Sequence, residues 1–302
     1  MLILDHVRRS FGDVAAVRDV SFAVQPASVF GLLGPNGAGK TTTMRMILGI
    51  YPPDGGTITW KGGVIDAHVR RRFGYLPEER GLYARMRVRE QVIYFGRLHG
   101  LELGDAERRT DDWLDALGIA EYAKRPCSEL SKGNQQKVQM ACAVVHAPEL
   151  LILDEPFSGL DPVNAEAMVR AIERLAAQGT ALVLSSHQMW QIEQVCGSFC
   201  VIAKGEVRAH GTLAELRATF PTHTVHVAPP TAETRAVFDR AGAVERPTSD
   251  GSASFVLPAT ADFGALLRAV VEAGPVTSFE PEEPSLNDIY LRAIGAQTER
   301  AA

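Results

Sequence analysis

The sequence predicts an α/β protein in two parts, a large domain over residues 1–220 and a smaller α/β domain over residues 221–302. Three observations carry this expectation. Short apolar runs of strand length alternate with stretches whose apolar residues recur at helical spacing. One of these runs passes through a glycine-rich loop directly into a helix. Near Pro221 the texture changes, and a shorter series of elements begins.

Leu2 to Val24 reads as strands at a sheet edge, turning at Phe11-Gly12-Asp13. Ser28 to Leu33 suits a buried strand, and Lys40 to Leu48 a helix. Strands are expected at Thr57 to Trp60 and Arg72 to Leu76, then a helical insertion with helices over Val88 to Leu98 and Ala106 to Leu117. Leu150 to Leu153, Ala181 to Leu184 and Phe199 to Ala203 resume the sheet, with helices over Val163 to Ala177 and near Trp190 to Val195. Parallel strands with covering helices satisfy that alternation. After residue 221 the predicted order is β-α-β-β-α-β-α: strands at His223 to Ala228, Ala243 to Arg246, Ser254 to Leu257 and Val276 to Phe279, and helices at Ala232 to Ala241, Phe263 to Ala273 and Leu286 to Ile294. With a turn at Ser249-Asp250-Gly251, this order suggests a small ferredoxin-like unit.

Apolar residues make up 46% of the chain and charged residues 22%, a globular balance. The net charge of −5 argues against a broad attraction to phosphate backbones, so no nucleic-acid partner is expected. Cys127, Cys142, Cys196 and Cys200 show no CxxC spacing and read as buried thiols in a reducing cytoplasm. The start, Met1 to His6, meets a charge too early for a signal peptide. No run approaches the roughly 18 apolar residues of a membrane span. The nearest, Met140 to Leu153, is broken by His146, Pro148 and Glu149, so any membrane role falls to a partner.

Gly34-Pro35-Asn36-Gly37-Ala38-Gly39-Lys40-Thr41 fits GxxxxGK[ST] in full. Its glycines let backbone N–H groups converge on phosphate oxygens at a helix N-terminus. Lys40 reaches the β and γ phosphates, and Thr41 offers its hydroxyl to magnesium. Asn36, Gly37, Ala38, Gly39, Lys40, Thr41 and Thr42 are therefore candidate nucleotide-binding residues. Downstream, the run Leu150 to Leu153 ends in Asp154-Glu155. Asp154 suits a magnesium ion, and Glu155 can polarise an attacking water. Between these motifs, Leu130-Ser131-Lys132-Gly133-Asn134-Gln135 precedes a helical run. Ser131 is placed as an N-cap there, and the free amides after it form a second anion-binding terminus. An ordinary capped helix would show the same pattern.

Together these residues resemble the ATP-binding cassette family over roughly residues 2 to 220. The glycine loop looks like its Walker A, Leu150 to Glu155 its Walker B with catalytic glutamate, and Leu130 to Gln135 its signature. Ser158-Gly159-Leu160-Asp161 looks like its D-loop and His187 its switch histidine, while Phe11 stands where an aromatic residue would stack on adenine. The resemblance implies a P-loop NTPase cassette with a mixed sheet and a helical subdomain over about residues 82–146. It implies ATP and Mg2+ as cofactors and a head-to-tail pair of cassettes. In that pair Ser131 and Gly133 contact the γ-phosphate across the interface, while Glu155 and His187 act as the catalytic residues.

Two departures stand out. The family's glutamine after Gly74-Tyr75-Leu76-Pro77 is here Glu78, a carboxylate that can still face magnesium or water, and the signature reads LSKGN rather than LSGGQ. Thr41, Asp154 and Glu78 thus form the candidate metal set. The variant loop and the tail, with Pro284 to Leu291 as its closing helix, are similar to a bacterial exporter subgroup that includes sodium-extruding members. That similarity implies a multi-span membrane subunit as partner, met through the loop of Leu82 and Tyr83, and a second ATP-binding subunit, identical or not. It also implies a cytoplasmic position on the inner face of the cell membrane. A soluble ABC-type ATPase of translation or DNA repair stays open as an alternative, although no second cassette or long coiled coil is seen, and so does a nucleotide-sensing regulator.

Overall fold

The computed structural model of the protein describes residues 1–79, 81–186, 189–220, 222–228, 230–246, 252–258 and 260–295. The chain forms two compact units, Met1–Gly211 and Thr212–Ala302. The expected boundary after residue 220 falls at the far end of a helix, Leu213–Thr219, that belongs to the second unit. A capping box starts this helix, with Thr212 and Glu215 each satisfying the other's backbone N–H.

Among the described residues of the first unit, ten strands form one sheet. They are β1 (Leu2–Phe11), β2 (Val14–Val24), β3 (Val29–Leu33), β4 (Gly55–Trp60), β5 (Gly63–Val64), β6 (Phe73–Leu76), β7 (Leu150–Asp154), β8 (Ala181–Ser185), β9 (Ser198–Ala203) and β10 (Glu206–Gly211). Their lateral order is β5-β4-β1-β2-β10-β9-β3-β8-β7-β6. The block β9-β3-β8-β7-β6 is parallel, and β5-β4-β1-β2 is antiparallel. β10 joins the two blocks, antiparallel to β9 and parallel to β2.

Every residue of β3, β7 and β8 is buried. That is the signature of parallel strands covered on both faces, and it is why these segments read as unbroken apolar runs. The register sets Asp154 beside Ser185 and Leu76 beside Leu153, so β6, β7 and β8 end together at one edge of the sheet. The loop after β3 leaves from that same edge, where ligands collect in parallel α/β sheets. The helical insertion comprises Val88–Leu98, Leu103–Ala116 and Lys132–Val144. All four cysteines are buried and unpaired.

The second unit carries a four-stranded antiparallel sheet of β11 (Thr222–Ala228), β12 (Val244–Arg246), β13 (Ala253–Pro258) and β14 (Ser278–Glu282), in the order β12-β13-β11-β14. The unit's first and third strands, β11 and β13, lie at the centre, the ferredoxin-like arrangement the element order suggests. Phe238 and Phe255 stack at its core with centroids 3.9 Å apart. The turn expected at Ser249-Asp250-Gly251 lies outside the described residues. The last strand runs from Ser278 rather than Val276 and continues through Pro281. It is an edge strand, where proline's missing N–H costs little.

Candidate functional site

The loop between β3 and the helix Lys40–Ile47 is built on glycine where no other residue fits. Gly39 has φ +106°, and a Cβ there would lie 2.5 Å from the Ala16 carbonyl oxygen. The chain turns into the helix beside a cavity of about 620 Å³. Asn36 to Thr42 line one side, and Glu78, Asp154 and Glu155 another. Five of the fold's chain segments meet here, several of them because the parallel strands end at this edge.

Lys40 is buried, and its Nζ donates to the Gly34 carbonyl at 2.6 Å and to that of Pro35 at 3.2 Å. Burial pushes its pKa below the usual lysine range, opposed by the carboxylates of Glu155, Asp154 and Glu78. Those carboxylates favour the charged form.

Asp154 ends β7 almost fully buried, and the Ser185 hydroxyl donates to its Oδ1 at 2.7 Å. Glu155 follows in a left-handed conformation, φ +51°, rare for a non-glycine residue and concentrated at functional sites. Its N–H donates to the Ser185 carbonyl at 3.2 Å and to the Ser185 hydroxyl at 3.1 Å. The bend turns the chain from the strand so that both acids line the cavity. Thr41, Glu78 and Asp154 also line an adjoining hollow, bringing a hydroxyl and two carboxylates to one place. Hard oxygen donors of this kind fit magnesium, which takes one or two carboxylates and completes its shell with phosphate and water.

Ser131 caps the helix Lys132–Val144 by accepting from the Asn134 N–H at 3.3 Å. Gly133 lies in the first turn, where a Cβ would stand 2.8 Å from Nδ2 of Asn164. Asn164 is held by the Asp161 carboxylate, which accepts its backbone N–H at 2.9 Å. Neither Ser131 nor Gly133 lines the cavity around Lys40. Phe11 also stays outside that lining. It closes the β1–β2 hairpin edge-on against Tyr51, with centroids 5.2 Å apart, and under the Arg9 guanidinium at 5.0 Å. His187 lies outside the described residues.

Sequence reasoning missed Val14, Ala15, Ala16, Arg18 and Lys204, which complete the lining. Arg18 and Lys204 add cations to the Lys40 side. Lys204 belongs to the turn between β9 and β10, where the Gly205 N–H donates to the Ala38 carbonyl at 3.0 Å. Such a contact, made by a residue so distant in the chain, leaves no local pattern. Nor does the Ser185 hydroxyl announce that it bonds both acids.

On the helical insertion, Leu82 lines a second hollow of about 320 Å³ with Phe73, Tyr75, Phe95 and Cys142. Tyr83 remains 53% exposed beside Tyr94, ring centroids 5.9 Å apart. The Leu82-Tyr83 segment thus packs on the insertion and also presents an aromatic face. Among the described residues no helix is long and apolar enough to cross a membrane.

Comparison with known proteins agrees with this geometry. The family model for ABC transporters matches residues 17–158, and that for the C-terminal domain of DrrA1-3-like ATP-binding proteins matches residues 211–294. The uncharacterized ABC transporter ATP-binding protein YhaQ of Bacillus subtilis is 42% identical over 98% of this chain and 99% of its own length. The linearmycin resistance ATP-binding protein LnrL of the same organism is 35% identical over 72% of this chain and 70% of its own. A solved ATP-binding subunit of an ABC transporter superposes with a TM-score of 0.68 at 33% identity, covering 73% of this chain and 93% of that one. The dimeric structure of the bacterial cassette MJ0796 shares the fold, with a TM-score of 0.65 at 20% identity over 70% of this chain and 99% of its own. With a relative similar over nearly its whole length and a family model matching residues 17–158, this chain belongs to the ATP-binding, ATP-hydrolysing subunits of ABC transporters.

Proposed function

We propose that the protein binds MgATP between two opposed copies of its cassette, or between itself and a similar one, and passes closure and release to a multi-span membrane subunit for export. The observation that carries this reading is the division of the motifs. Lys40, Thr41, Glu78, Asp154 and Glu155 share one cavity, whereas Ser131 and Gly133 stand outside it. A second anion-binding helix terminus that does not serve its own cavity is suited to a partner's phosphate.

In this scheme the loop amides and Lys40 bind the phosphates, with Arg18 and Lys204 adding positive charge. Thr41, Asp154 and Glu78 would hold a magnesium ion, which when bound would supply charge neutralisation for the transferred phosphoryl group. Glu155 takes the proton of the attacking water, and Phe11 contributes an aromatic edge for the base. For His187 the sequence supplies the role of orienting the phosphate. Two facing clamps lower the free energy of the closed dimer only while a triphosphate bridges them, so cleavage and phosphate loss reopen it.

Export is supported by the printed names of relatives, the linearmycin resistance protein LnrL and the Nod factor export protein I of Sinorhizobium fredii, 38% identical over 70% of this chain. The hollow at Leu82 and the exposed ring of Tyr83 suit an apolar segment of the membrane subunit, from a position on the cytoplasmic face. The reading is tested by Lys40→Ala and Glu155→Gln. The first is expected to lose labelled ATP in an equilibrium titration. The second is expected to keep ATP and to lose turnover by about 10²–10⁴-fold. Turnover by Glu155→Gln near the parent rate contradicts the assignment.

A further inference from the structure

We infer that two buried glutamines, Gln136 and Gln139, couple the two nucleotide sites of the dimer through one helix. The inference rests on the opposed-dimer reading above. The helix Lys132–Val144 begins at Ser131, which in that reading serves the partner's nucleotide. One and two turns further along, the same helix grips both acidic loops of its own site. Gln136 donates from Nε2 to the carbonyl of Pro156, the residue after Glu155, at 3.3 Å. Gln139 donates from Nε2 to the carbonyls of Pro77 at 2.9 Å and Glu79 at 3.3 Å, on either side of Glu78.

Both side chains are nearly inaccessible, 2% and 5% exposed, and at i and i+3 they lie on one face of the helix. A buried amide costs free energy unless it is hydrogen-bonded, and an apolar residue of the same size would fill this space more cheaply. Gln139 stands here even though its Oε1 is buried without a partner among the described residues. What the two amides supply is therefore the hold on those three carbonyls. Packed interiors shift as units rather than deform, so movement of the helix terminus toward a partner's phosphate carries Glu78 and Glu155 with it. Neither glutamine lines the nucleotide cavity, so both are positioning residues.

The test uses the full chain with Gln136→Met, Gln139→Met and both together. Labelled-ATP affinity is expected to stay within about twofold of the parent, because the glycine loop is untouched. Turnover is expected to fall by about fivefold per lost anchor. The Hill coefficient for ATP is expected to be well above 1 in the parent and about 1 in the double variant. A merely structural role would lower melting temperature and turnover without removing cooperativity. Hydrogen exchange in Glu155→Gln, which needs no glutamine change, gives an independent reading: ATP should protect the amides near Glu78 and near Phe157 together with those at the helix start. If the parent lacks cooperativity, if the double variant keeps it, or if the loops gain protection independently of the helix, the coupling is wrong. Failure of Glu155→Gln to dimerise with ATP overturns the opposed-dimer reading itself.

Discussion

The Ser185 hydroxyl donates to Asp154 Oδ1 at 2.7 Å while accepting the N–H of Glu155 at 3.1 Å, so one side chain fixes the position of both acids at the end of β7. Ser185 is fully buried on the neighbouring strand β8, directly in register with Asp154. Ser185→Ala leaves a buried carboxylate oxygen and a buried amide each one partner short. The variant is expected to unfold in urea with a stability lower by about 1–3 kcal/mol. It is also expected to need more magnesium for half-maximal turnover while binding ATP nearly as well. A magnesium titration of turnover beside a labelled-ATP titration checks the split.

Gly39→Ala tests the phosphate loop by its backbone alone. The left-handed φ and the nearby Ala16 carbonyl both exclude a Cβ, so the loop must shift to accept one. A stability loss of more than about 1 kcal/mol is expected, with nucleotide affinity lost in the same variant. Unchanged ATP binding would show that the loop amides do not hold the phosphates.

His146 makes stability depend on pH from a position away from the nucleotide. It stacks on His99 with centroids 3.6 Å apart and its Nε2 lies 3.1 Å from the Phe73 carbonyl. Burial, and then the charges of His99 and Arg109, push its pKa down to about 3. The unfolded chain takes up this proton near pH 6.5. The contribution is thus fully present above about pH 6.5 and is lost as pH falls towards 3, at up to about 1.4 kcal/mol per unit. His146→Gln removes this dependence. Urea unfolding at about pH 7.5 and about pH 5 should show the parent losing about 2 kcal/mol more than the variant. Equal losses would mean that His146 titrates normally in the fold.

The parts of this protein that the sequence reveals are those where chemistry and local structure coincide. The glycine loop, Lys40, Thr41 and the acids after Leu153 are legible because a buried parallel strand must be apolar throughout, so the polar residues that line the cavity stand out at its end. The C-terminal sheet is legible in its order because its strands alternate with amphipathic helices. Its last strand is misread near Pro281 because a proline breaks the pattern in a central strand but not at an edge. The strand β10 and the helix Leu213–Thr219 escape notice because β10 has no buried residue and the short helix buries only Leu216, so neither shows an apolar run. Arg18, Lys204, Ser185 and the two anchoring glutamines reach the site only through tertiary register, which no local window contains.

The claim on which the mechanism turns is that ATP is gripped by the Lys40 loop of one protomer and the Ser131 turn of another. Light scattering of Glu155→Gln during gel filtration, with and without MgATP, addresses it directly. The account predicts a particle of twice the chain mass only with nucleotide, reverting to the chain mass when Ser131→Arg is added. A nucleotide-loaded Glu155→Gln protein that stays monomeric in solution and in its native membrane assembly would contradict it.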